Sequence, residues 1–238
     1  MKRPVNTALA IMATTLLGAH PAYAQDAQIE QRLAAAQARL AAIEERSTAI
    51  HDVNEIENLQ RSFGFYFDKM LWDHVADLFA DDGTIELGLS GVYIGRDRVR
   101  DYLYSLSGGR QGPLEGVLYN HMQLQPIVTV SNDGRSAQAR WRALVLTGSD
   151  GSGSGGNWGE GPYENTYVKE DGVWKIQSIR WYGNFIAPYE GGWIEVDEAY
   201  LRAHPVSPTL QPDAPPTGDY EPFPAASIPP FHFDNPGR

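Results

Sequence analysis

The chain has 238 residues, 42% of them hydrophobic and 11% aromatic, with no cysteine and a formal net charge of −11. Such a length supports one well-filled core with extensions, and the absence of thiols excludes disulfides and cysteine nucleophiles. The negative charge disfavours nucleic acid and anionic membrane surfaces as partners, so a neutral or apolar small molecule is the better ligand class.

Residues 1–24 have the pattern of a secretory signal: "MKR" gives a positive start, "TALAIMATTLLG" a short apolar run, and "AYA" a small-residue cleavage site before Gln25. The apolar run is too short to span a bilayer. Loss of Lys2 and Arg3 takes the charge from −11 to −13. We expect a periplasmic or secreted protein without a membrane anchor.

Residues 25–51 carry a heptad seam, Ile29, Leu33, Ala36, Leu40, Ile43, Ser47 and Ile50, in steps of four and three. An apolar seam of this kind needs a partner helix, most simply its twin in a homodimer or higher homo-oligomer.

A domain is expected over residues 52–190. Helical spacing resumes at Asp52 and runs to about Met70, and a shorter helix through "WDHVADLFA" is stopped by "DDG". The stretches "TIELGL" and "GVYIG" read as short strands, and "RDRVRDYLYSL" as a third helix entered after Gly95. Three longer strand-like stretches follow, "GVLYNHMQLQPIVTV", "SAQARWRALVLTG" and "YENTYVKEDGVWKIQSIRWYGNFI", with turns at "SNDG" and "EDG". Between the last two, "TGSDGSGSGGNWGEG" lacks the ending of a phosphate loop and reads as a mobile flap. Residues 191–238 form a proline-rich arm, with ten of the sixteen prolines beyond Glu198. It should run extended, and Tyr220, Phe223, Phe231 and Phe233 suit docking on the domain or on a neighbouring subunit. Helices followed by a run of antiparallel strands predict an α+β fold, with a curved antiparallel sheet wrapped on three helices.

The order "FYFDKMLWDHVADLFADDGTIEL", "GVYIGRDRVRDYL", "NHMQLQP" and "YENTYVKEDGVWKI" resembles the SnoaL-like family of the nuclear transport factor 2-like superfamily, over about Asp52 to Phe185. The resemblance implies a cone in which a bent sheet and helices enclose a deep pocket. Relatives include scytalone dehydratases, ketosteroid isomerases, polyketide cyclases, formaldehyde-releasing lyases acting on lignin-derived diaryl compounds, and non-catalytic binders, so fold alone does not choose a function. In the similar scytalone dehydratases a Tyr-Asp pair on the first long helix and a strand histidine face the pocket. The matching positions here are Phe67, Asp68 and His121, with Tyr66 beside Phe67, and a further pocket histidine of those enzymes falls near Trp141.

The residues themselves allow that chemistry. His121 shares a strand face with Tyr119 and Gln123, and beside a carboxylate a histidine can move a proton in either direction. Alternatively its ring is satisfied by hydrogen bonds in the core. Asp68, set among aromatics, is either buried against His121 and a tyrosine hydroxyl or exposed and paired with Lys69 or Arg61. Tyr163 and Asn165 share one face of a strand and could orient a polar group. Trp141 on the next strand either stacks on an aromatic ligand or is plain core. His51, His74, His121, His204 and His232 show no metal-ligand spacing, and dinucleotide and serine-hydrolase signatures are absent, so neither metal nor cofactor is expected.

These readings predict an exported, cofactor-independent lyase or dehydratase. His121 is its main acid or base, Asp68 the group that orients it, and Tyr66 the third catalytic candidate; Tyr119, Trp141, Tyr163, Asn165 and Phe67 bind substrate. The alternatives are an isomerase of the same fold or a periplasmic carrier without turnover.

Overall fold

The computed structural model describes residues 21–149, 156–190 and 210–218, with 221, 225, 228 and 230–234; of 21–24 only the helical backbone is described. Most of the expected signal, and Tyr220 and Phe223 of the arm, lie outside the described residues. Among those described, no helix is long and apolar enough to cross a membrane.

The chain divides into two units between Ser47 and Thr48, although one helix, α1 (Pro21–Asp68), runs through the division. Separate helices over 25–51 and from Asp52 to about Met70 were expected. No glycine or proline interrupts residues 25–63 and Ala, Glu, Gln, Arg and Leu dominate them, so nothing in the backbone breaks the helix there. In the first unit every described side chain of α1 is exposed.

The second unit is an α+β fold. After α1 come α2 (Trp72–Asp77), β1 (Phe79–Leu87), β2 (Val92–Ile94), α3 (Arg96–Ser105), β3 (Val117–Val130), β4 (Ser136–Ser149), β5 (Gly156–Glu170), β6 (Val173–Trp181) and β7 (Phe185–Pro188). The strands form one curled sheet in the order β2-β1-β6-β5-β4-β3, with β7 added beside β5. One correction concerns its direction: β1 runs parallel to β6, so the sheet is mixed rather than wholly antiparallel. A second concerns β1 itself, which starts at Phe79, so that the preceding helix ends at Asp77 rather than Ala80. Phe79 and Ala80 are completely buried and Phe79 pairs with Ile176, whereas "DDG" is absorbed as an irregularity before Thr84. Further irregularities interrupt β3 between Leu124 and Ile127, where Gln125 has φ 50°, and the β5–β6 pairing between Thr166 and Tyr167. Such bulges bend strands and increase twist, which curls the sheet around the helices.

Alternation fills the inner face. On β4, Ala137, Ala139, Trp141, Ala143 and Val145 are buried, and Tyr163, Asn165 and Tyr167 match them on β5. Phe63 and Phe67 of α1, Trp72 and Val75 of α2, and Val99, Tyr102 and Leu103 of α3 pack on that face.

Most of the glycine-rich stretch expected as a flap is sheet: Leu146 pairs with Trp158, Thr147 with Asn157 and Gly148 with Gly156. Residues 150–155 lie outside the description. A Cβ on Gly159 would stand 2.7 Å from Ile186 Cγ1 and from the Phe185 carbonyl, so glycine there lets β7 approach.

The described parts of the arm dock on their own domain. Ala214 bridges Val92, Asp213 accepts the Ile94 N–H at 2.8 Å and pairs with Arg98 at 3.0 Å, and the Thr217 N–H and hydroxyl both donate to Glu86 Oε1 at 3.0 Å. Further along, His232 Nδ1 lies 2.7 Å from Glu164 Oε2, and Phe231 lies under the Arg140 guanidinium at 4.2 Å.

Candidate functional site

The site is built where the last turns of α1 meet β3. Gln60, Gly64 and Asp68 recur every four residues and so share one helical face, which lies against this edge strand. Gly64 permits the contact: a Cβ there would stand 3.1 Å from the His121 carbonyl oxygen and 3.2 Å from Gln123 Cγ. As β3 is the outermost strand, amides on its free side need partners other than strand neighbours. Asp68 supplies one, its Oδ1 accepting the His121 N–H at 2.6 Å and lying 3.3 Å from His121 Nδ1.

This carboxylate occupies the end of α1, where the helix dipole disfavours negative charge, and the two contacts with His121 offset that cost. The helix then stops in a paired closure, Met70 N–H to the Phe67 carbonyl at 2.9 Å and Leu71 N–H to the Tyr66 carbonyl at 3.0 Å, with Met70 at φ 52°. Glycine is usual at that position; methionine holds it here with a side chain buried in the core.

With Nδ1 taken by Asp68, Nε2 is the ring nitrogen left to face a ligand. His121 lines a narrow apolar cavity of about 40 Å³ with Phe67, Tyr119, Tyr163, Trp181 and Leu106 among its walls. The Phe67 ring meets the imidazole at 4.5 Å edge-on, and the Tyr119 ring lies nearly parallel to it at 5.9 Å. Burial pushes the phenols of Tyr119 and Tyr163 up, Tyr163 far above its ordinary range even though a hydrogen bond with Gln123 works the other way. Both therefore remain protonated and serve as hydrogen-bond donors rather than bases.

Of the residues singled out by sequence, His121, Phe67, Tyr119 and Tyr163 line this cavity, and Asp68 stands behind the histidine. The other three do not line it. Tyr66 points away from the Phe67 direction and places its ring 5.2 Å from His74, because neighbours in a helix point about 100° apart. Trp141 is fully buried core and donates from Nε1 to the Tyr167 hydroxyl at 3.1 Å. Asn165 lies under α1 rather than at the cavity, donating from Nδ2 to Gln60 Oε1 at 3.0 Å.

Gln60 is the residue that sequence reasoning missed. It is completely buried, accepts from the Tyr167 hydroxyl at 2.8 Å as well as from Asn165, and donates to Gln123 Oε1 at 3.2 Å. A polar chain thus runs from Asn165 through Gln60 and Gln123 to Tyr163. Its only signal in the sequence was its four-residue spacing from Gly64 and Asp68. Among the described residues no three His, Asp or Glu side chains converge as metal ligands would.

A curled mixed sheet closed by helices around an apolar cavity is the architecture of the nuclear transport factor 2-like class. Residues 48–180 match the family model for the SnoaL-like domain, and the chain belongs to that family. Three solved structures are similar. A protein from Novosphingobium aromaticivorans, provisionally titled a scytalone dehydratase, is 19% identical at TM-score 0.52, covering 60% of this chain and 91% of that one. A type 2 hexachlorocyclohexane dehydrochlorinase is 18% identical at TM-score 0.52, covering 60% and 92%. A protein of unknown function from Mycobacterium tuberculosis is 20% identical at TM-score 0.50, covering 65% and 85%. At these identities the likeness is one of fold. No curated protein matches the sequence.

Proposed function

We propose that the protein is an exported, cofactor-independent lyase of the dehydratase type, acting on an apolar, aromatic substrate by acid–base catalysis. The observation that carries this reading is the contact of Asp68 Oδ1 with His121 Nδ1, behind a ring that lines an apolar cavity. A carrier needs the cavity but has no use for a carboxylate that fixes the imidazole tautomer. The two relatives titled as a dehydratase and a dehydrochlorinase support elimination as the reaction class.

In the proposed reaction His121 Nε2 takes a proton from the carbon beside an activating carbonyl, and Tyr119 or Tyr163 donates a hydrogen bond to that carbonyl oxygen. The electron pair forms the carbon–carbon double bond as the hydroxyl on the next carbon leaves. That hydroxyl receives the proton from the imidazolium and departs as water, returning His121 to its starting state. Asp68 holds the tautomer and balances the transient positive charge. For release of formaldehyde from a hydroxymethyl group of a lignin-derived diaryl compound, His121 would instead take the hydroxyl proton. The bond to the hydroxymethyl carbon breaks to give formaldehyde, and its electron pair forms the double bond as a hydroxyl on the neighbouring carbon leaves as water with that proton. An isomerase would differ in returning the proton to carbon.

The cavity holds little more than a water molecule, so an aromatic substrate must displace wall residues. Leu106, Tyr119 and Thr147 are half-buried, so displacing them sacrifices less burial than moving the other apolar walls. The test is incubation of the purified protein with aromatic β-hydroxy ketones and diols, following loss of water or formaldehyde by mass spectrometry. Turnover that disappears in His121→Ala supports the proposal; ligand binding without turnover leaves a carrier.

A further inference from the structure

Along α1, residues 29–50 present an apolar stripe that nothing in the described structure covers. On α1, Ile29 is 54% exposed, Leu33 58%, Leu40 56%, Ile43 63% and Ile50 63%. Five large apolar side chains in one line over three heptads cost free energy in water and mark a docking face.

The charges beside the stripe point to its occupant. Written as heptads, Leu33, Leu40 and Ser47 take position a, and Ile29, Ala36, Ile43 and Ile50 take position d. Arg32, Arg39 and Arg46 then recur at g, and Glu30 and Glu44 stand at e. In a parallel, in-register coiled coil each g residue meets the e residue five positions later on the neighbouring helix, which sets Arg39 against Glu44 in both directions. An antiparallel pair would set g against g and so arginine against arginine. The sequence is therefore complementary to itself in one orientation. Leucine at a with isoleucine at d further favours three or four strands over two.

We infer that residues 29–50 assemble the protein into a parallel coiled coil of three or four copies of this chain. This is independent of the chemistry proposed for the cavity. Light scattering on the protein as recovered after export should give the mass of three or four chains, and Leu33→Asp/Leu40→Asp should lower it while the melting of the folded domain is unchanged. Arg39→Glu should raise the dissociation constant by about tenfold, as exposed ion pairs become repulsions, and Arg39→Glu/Glu44→Arg should restore it. Orientation is read by cross-linking, which the cysteine-free chain makes clean: Ile29→Cys should form disulfide-linked chains under mild oxidation. A mass of one or two chains, or a mass unchanged by Leu33→Asp/Leu40→Asp, would overturn the inference. So would cross-linking of Ile29→Cys to Ile50→Cys in a mixture when Ile29→Cys alone gives none.

Discussion

Asp68 holds His121 at two points with one oxygen: Oδ1 accepts the backbone N–H at 2.6 Å and faces ring Nδ1 at 3.3 Å. Strand and ring are thus fixed together, so the position of the imidazole depends on both the helix end and the strand edge. If Nε2 is the base that takes the substrate proton, His121→Ala should lower turnover by about a hundredfold to ten-thousandfold with ligand binding retained. Asp68→Asn should cost less, because an amide oxygen can still accept the backbone N–H while the charge is lost. Steady-state kinetics on both variants check this ranking, and an Asp68→Asn effect equal to that of His121→Ala would contradict it.

Gly64→Ala separates position from stability. Alanine favours the helix by about 1 kcal/mol, but its Cβ would press on the His121 carbonyl and Gln123. Because β3 has a strand neighbour on one side alone, it can shift by a few tenths of an ångström to relieve that contact. We expect a melting temperature close to wild type and turnover lower by about tenfold, since small displacements of reacting groups weigh heavily on rate. A variant with wild-type kinetics would show that the helix–strand spacing does not position the histidine.

Gln60→Leu should be strongly destabilising despite its apolar surroundings. It leaves the Tyr167 hydroxyl, Asn165 Nδ2 and Gln123 Oε1 without the partners they have in the core. The expected loss is about 2–4 kcal/mol, read as a lower denaturant midpoint at unchanged slope.

Asp52 gives the domain a component of acid sensitivity. Burial would push its carboxyl up, but the hydrogen bonds from Lys169 and Trp174 and the lysine charge outweigh this and hold it below its ordinary value of 3.8. A folded value below the unfolded one means stabilisation that is full above the unfolded value and is lost as pH falls through the folded one. Asp52→Asn should therefore cost about 2 kcal/mol at neutral pH. Its difference from wild type should shrink below pH 3.8, which unfolding at several pH values would reveal.

The elements were legible wherever burial imposed a period. Alternation along β4 and the helical recurrence of Phe63 and Phe67 gave the sheet, the helix and the face that meets it. The parallel pairing of β1 with β6 was not legible, because strands far apart in sequence carry no local mark of their neighbour. In the site, His121, Asp68, Phe67, Tyr119 and Tyr163 could be named from the family pattern and from strand alternation. Trp141 and Asn165 obey the same alternation, yet alternation says only that a side chain points inward. Whether it then meets a cavity or the underside of α1 depends on distance along the strand. Gln60 escaped notice since a buried amide in a helix looks like a solvated one until its partners are known.

Glu86 has a consequence for the order in which the chain folds. It joins Arg180 of β6 at 3.2 Å and receives Thr217, a residue 131 positions later. Loops of that span close slowly, whereas neighbouring strands such as β3 and β4 can zip from a local turn. The sheet can therefore collapse first and the arm clasp it afterwards. A chain still emerging from the ribosome has not yet made Thr217, so during synthesis Glu86 lacks that partner until the ribosome has passed residue 217.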